Sequence, residues 1–525
     1  MPGYDAIVIG AGHNGLVAAA YLARAGRKVL VLEKRDLVGG ATVTEEIVPG
    51  FKFSVFSYVV SLLRPQIIEE LELARHGLHL LALDGTFTPL PDGRYLARWH
   101  DSEKTRRELR RFSPRDADQY ERFGLHMHHM ARAVRDLLMM RPPEPASWRP
   151  RDLAGFAWLA RHVRRLGERR FHDLVRLMSA SAADYLDRWF ETDPLKATMS
   201  ASGIIGTFLG PRSPGSAYVL LHHYMGEIDG VSRSWGFARG GMGSVANALA
   251  SAARGFGAEI RTGAPIAKIL TKNGRARGVA LGSGEEIEAG AVASSLDPRR
   301  TFLSLLDPAE LPADFVADLR RYRYRGSSGK VNLALAELPD FRCLPGDGPH
   351  LQGSISISPS LEYLERAYDE AKYGSFSSHP YMDILIPSTI DPTMAPPGKH
   401  VMSIFVQYAP YHLKDGTWEE KREAFGDAVV DTLAEYAPNL KGAILGRQVV
   451  SPWDMEQRIG LTEGNIFHGE LTLEQLFFLR PVPGWAQYGT PLRGLYLCGS
   501  GAHPGGGVMG APGRLAALEM LGRAR

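Results

Sequence analysis

The hydrophobic pattern opens with two short, uninterrupted apolar runs, Ala6-Ile7-Val8-Ile9 and Val29-Leu30-Val31-Leu32. Between them, from about His13 to Ala25, apolar residues recur at helical spacing, with Ala18, Ala19 and Ala20 in succession. Continuous apolar strands belong to a parallel sheet covered on both faces. Residues 4–32 are therefore read as strand (Tyr4 to Ile9), helix, strand. From about Arg64 to Asp229 the pattern is mainly helical, broken at Arg141-Pro142-Pro143-Glu144-Pro145 and at Gly210-Pro211-Arg212-Ser213-Pro214. Gly240-Gly241-Met242-Gly243-Ser244 then opens an alanine-rich helix, Val245 to Arg254. After Gly257 come short strands: Ala258 to Arg261, Ile266 to Thr271, Ala276 to Leu281, and Glu286 to Glu288 ahead of Ala291 to Ser294. Lys272-Asn273-Gly274-Arg275 reads as a hairpin turn between two of them. A second mixed α/β stretch covers about Thr301 to Trp453. The chain closes as it began, with an apolar run (Leu495 to Cys498), a glycine-rich turn and a helix expected over Met509 to Leu521.

The two glycine-rich turns carry the chemistry. In Gly10-Ala11-Gly12-His13-Asn14-Gly15, Gly10 permits a tight turn, Gly12 lets the backbone approach a pyrophosphate, and Gly15 allows close helix–strand packing. The helix that follows offers unpaired N–H groups to phosphate oxygens. Glu33, at the end of the second strand, can accept hydrogen bonds from both ribose hydroxyls and would repel a 2′-phosphate. The closing turn is Gly499-Ser500-Gly501-Ala502-His503-Pro504-Gly505-Gly506-Gly507-Val508-Met509-Gly510. A chain that starts and ends this way is expected to wrap around one large dinucleotide.

Composition narrows the field. The chain has 525 residues, enough for two to four domains. Its net charge of +3 excludes a strong nucleic-acid field, so no nucleic-acid partner is expected. The only cysteines, Cys343 and Cys498, form no paired motif; this excludes disulfide redox chemistry and fits a reducing compartment. No metal site is expected. No apolar run reaches the ~20 residues of a membrane span. The first strand begins by Asp5, leaving no room for a leader, so a cytoplasmic location is expected. One uneven feature is a stretch rich in arginine. There Arg161, Arg164, Arg165 and Arg169 interleave with Phe156, Trp158, Leu159, Val163 and Leu166. It reads either as an interfacial helix for anionic lipid, a peripheral membrane contact, or as an amphipathic helix packed on its own domain or in a homo-oligomer.

Several strings resemble the phytoene desaturase and flavin amine oxidase superfamily. Gly39-Gly40 after Glu33 looks like its second FAD-contacting loop. Trp235-Gly236-Phe237-Ala238-Arg239-Gly240-Gly241-Met242-Gly243 and Gly257-Ala258-Glu259-Ile260 with its hairpin are similar too. The run from Leu495 to Gly507 resembles the carotenoid desaturase ending. It is closer to a branch named for a pyridine nucleotide-disulfide oxidoreductase domain, as are Gly464-Asn465-Ile466-Phe467-His468, Arg480-Pro481-Val482-Pro483, Ile386-Pro387-Ser388 and Asp391-Pro392-Thr393.

The resemblance implies an α/β fold: a Rossmann-like FAD-binding domain of the amine oxidase and phytoene desaturase type (GR2-type), with an inserted mixed α/β substrate domain. The FAD-binding domain would be discontinuous, over 1–64, 228–299 and 456–525. The substrate domain would take 65–227 and 300–455, with a largely helical, Arg-rich part at about 95–200. It implies non-covalent FAD, held by Gly10, Gly12, His13, Asn14, Gly15, Glu33, Lys34, Gly39, Gly40, Ala41, Gly241, Met242, Ile266, Gly499, Ser500, Gly507, Val508 and Met509. Ile266 would hold the adenine through its backbone. N–H groups near Val508 and Met509, at the start of the final helix, would face the flavin N1/O2 edge.

Two side chains are candidates for chemistry. Lys330, in Gly326-Ser327-Ser328-Gly329-Lys330-Val331-Asn332, matches in pattern a lysine held near flavin N5; the alternative is a strand-edge lysine facing solvent. His503 lies in the closing loop, where it either moves a proton or fixes the turn before Pro504. His468 reads as a packed histidine, and Cys498 as a small core residue. Amine oxidases bracket their amine with aromatic rings, one of which would fall near Gly507. A glycine there favours an elongated apolar substrate, isoprenoid- or lipid-like. The expected activity is an FAD-dependent dehydrogenase or desaturase that takes hydride to flavin N5, with a quinone or O2 as acceptor. An amine oxidase-like enzyme and an FAD-binding regulatory protein with little turnover are the alternatives.

Overall fold

The computed structural model describes residues 3–228, 230–232 and 235–523. Two seven-stranded sheets organise the chain. The first contains Tyr4–Ile9 flanked in parallel by Val29–Leu32 and Glu286–Ser294. Glu259–Arg261 extends it beyond Val29–Leu32, and Leu495–Leu497 pairs in parallel with the end of Glu286–Ser294. The expected short strand Glu286 to Glu288 and the run Ala291 to Ser294 are one nine-residue strand. Its first residues pair antiparallel with Arg275–Leu281, and the rest pairs in parallel with Tyr4–Ile9. The hairpin Ile266–Lys272/Arg275–Leu281 turns at Asn273 and Gly274, both at positive φ (53° and 68°), the geometry Asn-Gly supplies.

Helices His13–Arg24, Gly243–Gly255 and Ala511–Met520 cover this sheet, and His13–Arg24 packs against both of the others. Their small residues allow close contact. Ala18, Ala19, Ala20, Ala246, Ala250 and Ala517 are all buried in one core with the strands.

The second sheet runs in the order Ile444–Val450, Ser328–Leu335, His400–Gln407, Tyr381–Leu385, Ser354–Ile357, Gly85–Pro89, Tyr95–Trp99. It is antiparallel except where Ser354–Ile357 meets Gly85–Pro89. Here the expectation of a mainly helical stretch from Arg64 to Asp229 holds except chiefly over 80–99. Leu80–Ala82, Gly85–Pro89 and Tyr95–Trp99 are strands. Pro91-Asp92-Gly93, with Gly93 at φ 80°, is the turn that pairs the last two. A short helix, Pro65–Glu70, opens the stretch, and after the strands the helices resume at Ser102–Arg110 and include Pro114–Leu138, Pro150–Leu166, Glu168–Ser179 and Ser216–Tyr224.

The final helix is also corrected. It starts at Ala511, not Met509, because Val508 (φ 56°) and Gly510 (φ 73°) hold left-handed backbone conformations that no helix continues. Among the described residues, no helix is long and apolar enough to cross a membrane, and no group of side chains could hold a metal ion.

Candidate active site

The opening turn is built by sterics. A Cβ on Gly15 would lie 2.2 Å from the Gly10 carbonyl oxygen, so only glycine lets the helix approach the strand this closely. Gly12 is the opposite case. A Cβ there meets no protein atom within 4 Å and would project into open space. Gly12 is also the N-cap of His13–Arg24, with no side-chain cap and no acidic residue in the first turn. The orphan N–H groups of that turn therefore keep their capacity for an anion. Gly39 donates its N–H to the Ala11 carbonyl (2.8 Å), which brings Gly40 against Gly12. The Glu33 carboxylate is buried. It accepts from Ala11 N (2.9 Å) and Arg35 N (3.0 Å), one bond per oxygen, leaving lone pairs for a ligand.

The closing turn docks on the opening one. Asn14 Nδ2 donates to Ser500 Oγ across 3.0 Å, joining positions 486 residues apart. The turn is held from behind by Arg480, which is fully buried. Its guanidinium donates to the carbonyls of Phe467, Gly469, Glu470, Gln475 and Ser500. A planar five-donor group suits this task, because it satisfies several strand-free loop carbonyls at once. The sequence pattern marked Arg480 only as part of a family string; five-fold carbonyl binding has no local signature.

Both turns open on one cavity of about 340 Å³. One end is formed by Glu33, Lys34, Pro265, Ile266, Arg300 and Leu305. The middle is formed by Gly10, Gly12, His13, Asn14, Gly40, Ala41 and Ser500. The far end is formed by Tyr58, Leu62, Trp235, Lys330, Phe405, Phe467, Gly507 and Val508. Buried polar atoms of its wall without a partner among the described residues include His13 Nε2, Asn14 Oδ1 and His468 Nδ1. A cavity with a buried carboxylate at one end, an open glycine cradle with unpaired N–H groups in the middle, and largely aromatic walls beside Lys330 at the other end fits a dinucleotide carrying a flat ring system.

The remaining expected cofactor residues lie behind the wall. Gly15, Gly39 and Gly499 shape the turns; a Cβ on Gly499 would meet the Ser295 carbonyl at 2.2 Å. Gly241 packs against Thr44, and Met242 is buried with its N–H donating to Ser54 Oγ (3.0 Å). Met509 is buried in the helical core, and its carbonyl accepts from Arg64 N.

Lys330 is not a solvent-facing edge residue. Its strand lies between two others in the sheet, and every residue of Ser328–Leu335 is buried. Nζ donates to the Ser54 carbonyl and sits 5.1 Å from the centre of the Tyr58 ring. Burial without a carboxylate partner holds its pKa well below the ordinary lysine range. Tyr58 stacks on Phe405 (5.7 Å, 18°) and donates its hydroxyl to Asp383 (2.6 Å). Burial raises the Asp383 carboxyl, which also accepts from Ser354.

His503 is not brought to the cavity. Its Nε2 meets the Leu137 carbonyl at the end of Pro114–Leu138 (2.9 Å), and its ring packs edge-on to Phe477. Burial pushes its pKa down to about 4. The anchoring role takes its ring nitrogen, so the expected catalytic role is dropped. The histidines on the wall are instead His13, His223 and His468. His223 stacks on Trp235 (5.6 Å, 17°), and burial lowers its pKa to about 4. Burial lowers His13 to about 3 and His468 to about 4. His223 lies in Ser216–Tyr224, a helix apolar on all sides, and nothing in that string distinguishes it from a core histidine.

The sequence pattern of the flavin-containing amine oxidoreductases matches residues 15–517. Pyridine nucleotide-disulfide oxidoreductase domain-containing protein 2 of Rattus norvegicus is 44% identical, over 98% of this chain and 93% of its own. A component of the limonene dehydrogenase of Castellaniella defragrans is 28% identical, over 96% of this chain and 91% of its own. Among solved structures, cyclohexylamine oxidase from Brevibacterium oxydans superposes with a TM-score of 0.57 at 17% identity, covering 100% of this chain and 99% of that one.

Proposed function

The chain belongs to the flavin-containing amine oxidoreductase family, and on that premise we propose that it binds FAD non-covalently and dehydrogenates an elongated apolar substrate. FAD, when bound, supplies a two-electron acceptor for hydride and passes the electrons on to a quinone or dioxygen. In this reading Glu33 and Ile266 take the adenosine. The first turn of His13–Arg24, with Ser500 opposite, takes the pyrophosphate. Gly507 and Val508, on the cavity wall, would border the ring.

The observation that carries the substrate class is the chemistry of the far end of the cavity. Its walls are Tyr58, Leu62, Trp235, Phe405 and Phe467, with hydrogen in place of a side chain at Gly507. Glu33 is the only carboxylate among the described lining residues, and it belongs to the opposite end. With hydrogen at Gly507, no ring closes over a bound group from that side, and an ammonium entering here would meet no carboxylate, whereas a hydrocarbon would gain by burial. Lys330, whose pKa burial lowers well below the ordinary lysine range, is the candidate base at this wall for the proton that leaves with the hydride equivalents. The Tyr58–Phe405 stack forms part of the wall beside it. The related limonene dehydrogenase component is named for an apolar isoprenoid, which supports the same class.

Anaerobic mixing tests the reading. An isoprenoid hydrocarbon should bleach the flavin band of the purified protein, and aliphatic amines should not. Bleaching by amines alone would move the assignment to an amine oxidase. A flavin that neither class reduces would favour a binding protein with little turnover.

A further inference from the structure

The helix Pro150–Leu166 is anchored from one side only. Asp152 pairs with Arg141 (2.7 Å), Phe156 stacks on Phe478, and His162 Nε2 meets the Ala133 carbonyl (2.7 Å). Asp152 is its single buried residue. The outer face changes character along its length. Leu153, Ala154, Ala157, Trp158 and Ala160 are exposed, and just ahead of the helix Trp148 is 87% exposed. One turn further on, the same face becomes Arg161, Arg164 and Arg165, all exposed. These three, with Arg149, Arg169 and Arg170 on either side, have no carboxylate within ion-pair distance among the described residues. Every other ion pair in this region, such as Arg151 with Glu519 and Arg176 with Asp173, involves a different arginine. Phe171 and Val175 of the next helix, Glu168–Ser179, add further exposed apolar surface.

We propose that this pair of consecutive helices docks the protein on an anionic lipid surface, with Trp148 and Trp158 entering the headgroup boundary and the arginines meeting lipid phosphates. Tryptophan and arginine side by side on an exposed helix suit that boundary, where the indole is half-buried and the guanidinium stays wet. A second copy of the chain is a poorer occupant. A two-fold contact pairs a patch with itself, so the unpaired arginines would face one another. The acid of the first helix is engaged with Arg141 and Asp173 of the second with Arg176, which leaves only Glu168 against six unpaired arginines.

Flotation of the flavin-loaded protein with phosphatidylcholine vesicles, with and without phosphatidylglycerol, tests the proposal. The protein should float with the anionic vesicles only, and less so as salt rises. Arg161→Gln/Arg164→Gln/Arg165→Gln should cut partitioning on the order of a hundredfold. Trp148→Ser/Trp158→Ser should weaken it at unchanged charge. In both variants the flavin content and Tm should match the parent. Three results would overturn it: no flotation with anionic vesicles, undiminished binding by the arginine variant, or a stable dimer that Trp158→Ser dissociates.

Discussion

Asn14 and Ser500 form a direct side-chain hydrogen bond, Nδ2 to Oγ at 3.0 Å, that ties the first glycine-rich turn to the last. Both residues line the cavity, and Asn14 keeps Oδ1 unpartnered beside it. The bond fixes how the two halves of the site face each other. Asn14→Ala removes it and leaves a buried hydroxyl to find a new partner. The expected cost is about 1 kcal/mol, read as a roughly fivefold rise in the Kd for FAD. Flavin fluorescence titration of the stripped protein measures it.

Gly12 and Gly15 should fail in different ways. A side chain at Gly12 meets open space in the protein, so Gly12→Val should keep the parent Tm without flavin yet lose flavin retention. A Cβ at Gly15 collides with the Gly10 carbonyl, so Gly15→Ala should lower stability by about 1–3 kcal/mol. Thermal melts of both stripped variants separate the cases. Equal Tm losses would remove the distinction between a ligand-facing and a packing glycine.

Lys330→Met should slow flavin reduction by about 10²-fold or more if Nζ takes the substrate proton. Stability gives an independent readout. The folded pKa is depressed, so between that value and the ordinary lysine pKa the unfolded chain binds the extra proton. Parent stability therefore rises with pH across that window, by up to about 1.4 kcal/mol per pH unit. The Met variant lacks this contribution. Its advantage over the parent should shrink as pH rises, and a constant difference would show that Lys330 is charged in the folded protein.

His503 makes the complementary case. Its folded pKa of about 4 lies below its ordinary value of 6.5. Its contribution to stability is present above pH 6.5 and is lost as pH falls toward 4, by up to about 1.4 kcal/mol per unit. His503→Gln should flatten that slope and leave the rate of flavin reduction unchanged. A large rate loss with unchanged melting would return His503 to the chemistry.

How much of this was legible depended on whether the signal was local. Strand Tyr4–Ile9, helix His13–Arg24 and strand Val29–Leu32 follow from two apolar runs and one glycine spacing, and the structure matches them within a residue or two. The hairpin after Ile266 was equally readable, because Asn-Gly fixes both its turn and its register. Gly85–Pro89 and Tyr95–Trp99 were hidden beside a long helical stretch, although Pro91-Asp92-Gly93 between them is a turn signal in its own right. The surroundings of Lys330 were not legible at all. Ser54 and Tyr58 come from near the start of the chain and Asp383 from the second sheet, and no spacing rule joins them. His503 misled because neighbours along a loop need not face the same way. Gly507 at φ 117° and Val508 at φ 56° turn the backbone toward the cavity only after the histidine has already packed on Leu137.

In the proposed reading the two ends of the chain form one FAD site. Denaturing the purified protein, then identifying and counting the flavin in the supernatant, tests it most directly. The account predicts FAD, close to one per chain, released completely by the parent and absent from Gly12→Val. FMN in place of FAD, flavin remaining on the precipitated chain, or a colourless protein that takes up no added FAD would contradict it.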